Sequence, residues 1–158
     1  LPQKLKNYSQ QFAVNEFEKK NLHGHPILLY SGRQKLVHGN VIMVGEIAGC
    51  VDPLTAEGIR PAIKSGFLAA KVIAYSLKQK NLKSLVNYDV AFHQEIGRDF
   101  YSARIMSYFL NKNLKRILPM LSSESAINGF MSVFSGASSY RQKIGFKRIC
   151  KLIWKSIF

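Results

Sequence analysis

Apolar positions along the chain alternate between helical spacing and short continuous runs. Leu5, Tyr8, Phe12 and Phe17 recur at roughly helical intervals between lysines and glutamines, predicting an amphipathic helix over residues 2–21. His25 and Pro26 interrupt that pattern. Two apolar runs bounded by glycines, Ile27–Tyr30 and Val41–Val44, then read as short strands, the second buried. Helical spacing returns from Gly58 to about Lys80, where Ile59, Ile63, Phe67, Ala70 and Ile73 form a stripe and Lys64, Lys71 and Lys78 lie on other faces. Residues 85–118 read as one long helix or two shorter ones, ended by Pro119. Ser122 or Ser123 is a fitting N-cap for a short helix that stops near Gly136, and residues 140–158 carry a strong helical pattern. The order predicts a few strands near the front and helices over the remaining two-thirds. A buried strand needs neighbours on both sides, and so few strands cannot make a self-sufficient sheet.

Composition sharpens this picture. The chain has 158 residues, 47% apolar and 20% charged, which is globular rather than disordered composition. Lys and Arg number 23 against nine acids, a net charge of +14 that attracts polyanions, either nucleic acid or an anionic membrane. No recognised nucleic-acid motif is present, so nucleic acid is not an expected partner. Cys50 and Cys150 lie far apart with no CxxC pairing, which suggests neither a zinc site nor a disulfide framework and favours a reducing, cytoplasmic setting. No apolar run reaches the roughly 18 residues of a membrane span, and the N-terminal stretch lacks the apolar centre of a secretory signal. Of the four histidines only His23 and His25 are near each other, with no third ligand nominated, so no metal is expected. Asp89, Glu95, Arg98, Asp99 and Arg104 read as a solvated helix face.

The stretch "VIMVGEIAGCVDPLTAEGIRPAIKSG" carries the chemistry. It reads as a strand, a glycine-rich crossing, an Asp-Pro turn and a helix start. Gly45 and Gly49 allow the backbone to pass close to another group, and Pro53 fixes a turn that delivers Thr55 near the N-cap of the next helix. Free amides around Glu57, Gly58 and Ile59 then make a partial positive charge suited to an anion or a polarised carbonyl. By spacing alone, the stretch reads more readily as a strand-to-helix connection whose glycines serve packing.

These residues resemble the second flavin-contacting motif of FAD-dependent oxidoreductases of the hydroxylase-like superfamily, and most closely the geranylgeranyl reductase family. Its usual run is G-D-A-A-G, then D/N-P-L-T-G-E-G-I, then a helix of the type A-x-x-S-G-x-x-A-A. Here it reads Gly45-Glu46-Ile47-Ala48-Gly49, Asp52-Pro53-Leu54-Thr55-Ala56-Glu57-Gly58-Ile59, and Ala62, Ser65, Gly66, Ala69 and Ala70. "GHPILLY" at residues 24–30 resembles the family's H-P-I-P-L-Y strand, and "SGASSYR" at residues 135–141 its S-Y-R segment. The likeness implies that Glu46 holds the FAD ribityl chain and that Pro53 to Ile59, Thr55 among them, line the isoalloxazine, with the Gly58 and Ile59 amides facing N1 and the C2 carbonyl; Gly45, Ala48, Gly49 and Asp52 belong to the same cofactor-binding set. The sequence departs from the pattern at Glu46, where the family has Asp, and at Ala56, where it has Gly.

No G-x-G-x-x-G and no Y-x-W-x-F-P segment occurs, and the chain begins at Leu1. The expected fold is therefore α/β, the C-terminal fragment of a Rossmann-like FAD-binding fold of the hydroxylase type, inactive by itself. Residues 1–80 would form the C-terminal part of the FAD-binding domain, with the second flavin motif at 41–73, and residues 81–158 a helical region ending in a basic amphipathic helix. By resemblance, the whole protein reduces carbon–carbon double bonds of a geranylgeranyl-type isoprenoid with FAD, recharged by NADPH or another donor; no residue can be assigned as proton donor. Alternatives are an FAD-dependent monooxygenase of the same superfamily and a non-enzymatic, basic, membrane-binding helical module. In the last helix, Phe146, Ile149, Cys150, Ile153, Trp154 and Ile157 form an apolar stripe beside Lys143, Lys147, Lys151 and Lys155. That pattern suits either an anionic bilayer interface contacted through residues 141–158, hence a peripheral membrane position, or packing on the domain core.

Overall fold

A computed structural model of the chain describes residues 2–10 and 24–143. Helix α1 spans Pro2–Gln10, and the rest of the predicted opening helix, like His23, lies outside the described residues. Strands β1 (Val37–His38) and β2 (Val41–Ile42) form an antiparallel hairpin, with Val37 opposite Ile42 and His38 opposite Val41. Gly39 takes φ +59° at the first turn position, a conformation that a two-residue hairpin connection asks for and that glycine adopts without steric cost. The protein thus combines a small two-stranded sheet with a mostly helical remainder, an α/β arrangement only in the broad sense.

The two predicted strands are corrected by this geometry. Residues 27–29 are exposed and irregular, and only Tyr30 of that run is buried. The run from Val41 is a strand only through Ile42, with one more ladder bond from the Met43 amide to the Leu36 carbonyl at 2.9 Å, and Val41 is 64% exposed. Pairing stops because the hairpin has one neighbour and Gly45, at φ +66°, turns the chain into a 3-10 turn over Gly45–Ala48.

Helix α2 (Ile59–Lys78) confirms the helical periodicity and reverses its facing. The positions buried against the body are Ser65, Ala69 and Ser76, with Leu68 and Val72 packed partly on the core. The apolar stripe lies outward instead: Ile59 is 77% exposed, Ile63 57% and Phe67 67%. Small residues line the inner face because the Gly45–Ala48 turn comes close there; a Cβ at Gly45 would stand 3.7 Å from the Ala62 Cβ.

A 3-10 segment, Leu82–Val86, leads into α3 (Asn87–Phe92), a π-helical turn at His93–Gly97 and α4 (Arg98–Leu121). The core sits between this rod, α2 and the 30–50 segment, with Tyr30, Leu36, Ala48, Cys50, Tyr88, Phe92, Ile96 and Phe100 at its centre. The Tyr30 ring meets Phe100 edge-on at 5.7 Å between centroids. Gly97 leaves room for it: a Cβ there would stand 2.9 Å from the Tyr30 hydroxyl. Burial pushes the Tyr30 phenol up, opposed by Arg104 and Arg33.

Pro119 does not end α4, which continues to Leu121. The departure from helical geometry falls earlier, at Asn113 (φ −121°, ψ 21°). The Asn113 side-chain Nδ2 donates to the Phe109 carbonyl at 3.2 Å, covering an acceptor at the kink. The expected serine cap is present: the Ser123 hydroxyl accepts from the Ala126 amide at the start of α5 (Glu124–Phe134). Helix α6 covers Tyr140–Lys143, and the remainder of the predicted terminal helix lies outside the described residues. Among the described residues, no helix is long and apolar enough to cross a membrane and no group of three His, Cys, Asp or Glu could hold a metal ion.

Candidate functional site

The Gly45–Ile59 stretch is organised by hydrogen bonds that its own sequence supplies. Gly45 donates its amide to the buried Ser65 hydroxyl at 2.9 Å, and that hydroxyl donates on to the Ala62 carbonyl at 2.7 Å. Gly49, at φ +62°, closes the 3-10 turn, and a Cβ there would meet the Gln34 amide nitrogen at 2.9 Å. That amide donates to the carbonyl of fully buried Ala48 at 2.6 Å. Glu46 turns towards the 25–28 segment, where its carboxylate lies 3.3 Å from His25 Nε2 and accepts weakly from the Leu28 amide at 3.4 Å. Cys50 is fully buried and its thiol is pushed up to about 11 by desolvation, so it fills space as a protonated thiol.

Asp52 is the organising residue of the turn. It is 7% exposed, and its Oδ1 accepts from the Leu54 amide at 2.7 Å and the Thr55 amide at 3.2 Å. Its Oδ2 accepts from the Tyr140 hydroxyl at 2.6 Å, joining the Asp-Pro turn to the Ser-Tyr-Arg segment across 88 positions. Burial, followed by that bond, holds the Tyr140 phenol far above its usual range, so Tyr140 stays a neutral donor.

Thr55 does not cap α2; the N-cap is Gly58, and the Thr55 hydroxyl accepts instead from the Glu57 amide at 3.2 Å. The cap moves downstream because Asp52 and Thr55 bind the amides of 54, 55 and 57 and hold the chain in a turn until Gly58. Glu57 folds its carboxylate back on the Arg60 amide, at 2.8 Å. The Gly58 and Ile59 amides have no acceptor among the described residues. Gly58 is tightly placed, since a Cβ would stand 3.2 Å from Val51 Cγ2.

Ala56 adopts φ +57°, the left-handed region that costs an L-residue about 1–2 kcal/mol. Replacing Ala56 by glycine removes that cost at the expense of unfolded-chain entropy, so Ala56→Gly is expected to stabilise the protein by about 0.5–1 kcal/mol. A raised urea midpoint with an unchanged slope would show it.

A polar cleft of about 780 Å³ opens beside the start of α2, walled by Asp52, Glu57, Arg60 and Lys64 on one side and by Glu95, Asp99 and residues 136–142 on the other. Its charges are engaged. Arg60 donates to the Phe134 carbonyl at 2.7 Å, and Lys64 Nζ lies 3.1 Å from Glu95 Oε2 and donates to the Glu95 carbonyl at 2.8 Å. Asp99 accepts from the Arg141 amide at 3.1 Å, while burial raises its carboxyl above the usual range. Asp89 accepts from the Leu36 amide at 2.8 Å and so anchors the start of the hairpin. Asp89 and Asp99 therefore tie distant segments together, and only part of the expected solvated face is solvated. The Asp52–Tyr140 link could not be read from local pattern; the Ser-Tyr-Arg likeness singled out the segment without its partner.

Of the nine site residues nominated by sequence, all lie on one continuous unit from the 3-10 turn to the first residue of α2, packed on α2 through Ser65 and closed by Tyr140. No protein-family model and no solved structure matches the chain. Curated proteins do. Digeranylgeranylglycerophospholipid reductase 3 of Methanosphaera stadtmanae is 35% identical over 68 residues, 42% of this chain and 17% of that protein. Digeranylgeranylglycerophospholipid reductase 1 of Methanothermobacter thermautotrophicus is 36% identical over 66 residues, 40% of this chain and 17% of that protein. Conditioned medium factor receptor 1 of Dictyostelium discoideum is 32% identical over 85 residues, 52% of this chain and 17% of that protein. The matched stretches thus span about a sixth of these relatives' length, and the chain is distantly related to the digeranylgeranylglycerophospholipid reductases.

Proposed function

We propose that this chain is the C-terminal portion of an FAD-dependent oxidoreductase resembling the geranylgeranyl reductases. The observation that carries the reading is the pair of amides, Gly58 and Ile59, that have no acceptor among the described residues at the start of a 20-residue helix. They stand behind a turn that Asp52 holds in one conformation, and an electron-rich carbonyl is the acceptor they suit. The two relatives named as lipid reductases support the same reading. When bound, FAD would supply hydride to a carbon–carbon double bond of an isoprenoid chain, NADPH or another donor having reduced it.

The residues present fit such a group. Gly58 and Ile59 would hold the pyrimidine edge of the ring, with Pro53 and Thr55 beside it. Gly45 carries no side chain where the backbone must pass close to a ligand, Ala48 and Gly49 are buried against Gln34 and would support the turn from behind, and Glu46 would reach the ribityl hydroxyls by releasing its contacts with His25 and Leu28. In this reading residues 1–80 complete the cofactor-binding domain and residues 81–158 form the helical region behind it. The outward apolar stripe of α2, Ile59, Ile63 and Phe67, is then the face that the nucleotide-binding half covers.

The test is FAD affinity in the full-length protein carrying Ile59→Pro. Proline is favoured at the first helical position, so this change deletes one amide donor with little cost to α2. Dissociation is expected to become tenfold or more faster, in keeping with loss of a hydrogen bond of about 1.5–3 kcal/mol to a charged group. An unchanged FAD affinity in a variant with native circular dichroism would refute this placement of the ring.

A further inference from the structure

We infer that the tip where α2 turns back into the Leu82–Val86 segment docks on an anionic membrane surface. Leu77 and Leu82, on the two sides of that turn, are 61% and 48% exposed, and Val86 beyond them is 52% exposed. The turn is closed by its own backbone. The Lys80 amide donates to the Leu77 carbonyl at 3.0 Å and the Asn81 amide to the Ser76 carbonyl at 2.9 Å, the paired bonds of a Schellman ending. The Ser76 and Ser84 hydroxyls join the two sides at 2.6 Å, and the Asn81 side chain accepts from the Lys83 amide at 3.1 Å. Both leucines are therefore presented to solvent on a fixed turn, with Ser76 and Leu85 buried behind it.

Charge selects the occupant, and the backbone of the turn places that charge beside the leucines. Lys78 follows Leu77, Lys83 follows Leu82, and Lys80 lies between them, bonded through its amide to Leu77; all three lysines are exposed. Residues 58–88 carry six Lys and Arg and no acid, and among the described residues no carboxylate pairs with these three lysines. Two of them stand where local energetics disfavour them. Lys80 takes φ +49°, the left-handed position that glycine usually fills at a helix end. Lys83 sits in the first turn of the segment leading into α3, at the positive end of its dipole. The negative end of α2 accounts for Lys78 and leaves Lys83 and the exposed leucines unexplained. Exposed leucines set among lysines are what an anionic bilayer interface takes up: the apolar side chains enter the headgroup boundary while the ammonium groups meet lipid phosphates and carboxylates. Nucleic acid would engage the lysines and gain nothing from the leucines. Leu77 lies about 27 Å along α2 from Ile59, at a helical rise of about 1.5 Å per residue, so the inference does not rest on the flavin reading.

Co-sedimentation of the full-length protein, without added FAD, tests it with phosphatidylcholine vesicles that contain or lack about 30% phosphatidylserine, in about 0.1 M salt. Binding to the phosphatidylserine vesicles is expected. Lys80→Gly should weaken it about fivefold, the effect of one cation near the surface, while keeping or raising stability because glycine suits the left-handed position. Leu77→Ser/Leu82→Ser should weaken it at least tenfold with native circular dichroism, both positions being exposed. That change leaves the charge untouched, so it separates docking from unspecific attraction. Wild-type binding by either folded variant would overturn the inference. A wild type that ignores the vesicles but binds polyuridylic acid, and loses that binding in Lys78→Gln/Lys80→Gln/Lys83→Gln, would also overturn it and assign the tip to nucleic acid.

Discussion

Asp52→Ala is expected to be among the most damaging single substitutions in this protein, lowering stability by about 3 kcal/mol or more, because it strips acceptors from the Leu54 and Thr55 amides and the Tyr140 hydroxyl together. The expected order is informative. Asp52→Asn keeps an oxygen for the two amides and an amide group opposite Tyr140, and should cost about 1 kcal/mol. Tyr140→Phe removes only the cross-chain bond and leaves Oδ2 buried without it, an effect of about 2 kcal/mol. Since both substitutions break the same contact, the double variant Asp52→Ala/Tyr140→Phe should be little worse than Asp52→Ala alone. Urea unfolding of the four variants measures the cycle. Fully additive losses would mean that the turn and the Ser-Tyr-Arg segment are not coupled, and that Tyr140 is merely packed beside Asp52.

Tyr88 carries the second large effect. It is fully buried beneath the Gly45–Cys50 crossing, and its hydroxyl, near Ser65, makes no well-formed hydrogen bond, while burial pushes the phenol up to about 12. Truncation to alanine leaves a ring-sized cavity under the candidate site and is expected to cost about 3–5 kcal/mol. Tyr88→Phe deletes a buried polar atom that lacks a well-formed partner, so it should be neutral or slightly stabilising. Thermal melts of the pair separate the two contributions. If Phe proves as costly as Ala, the hydroxyl rather than the ring supports the crossing.

Local sequence determined helix α2 and the start of α5, though not the end of α4, which runs past Pro119. Helix α2 and the Ser123 cap follow from periodicity and from a hydroxyl placed three residues before an amide it can accept from. The Asp-Pro turn was also legible, because an Asp-Pro pair, a threonine and two glycines act within a few residues of one another. The 27–30 and 41–44 runs show the limit of that legibility. Apolar runs signal burial in a sheet only if neighbouring strands exist, and here the sheet has two strands.

Only the tertiary structure decided which face of each helix is used. The apolar stripe of α2 lies outward because the Gly45–Ala48 turn comes so close to the helix that small residues must line the contact, a steric demand no hydropathy pattern contains. Asp89 and Asp99 are likewise indistinguishable in sequence from solvated acids, yet each accepts a backbone amide from a segment far along the chain. The bond from Tyr140 to Asp52 is of the same kind. Pattern along the chain records what each residue prefers, whereas a buried polar pair exists only where folding brings donor and acceptor together and removes the water that would otherwise satisfy them.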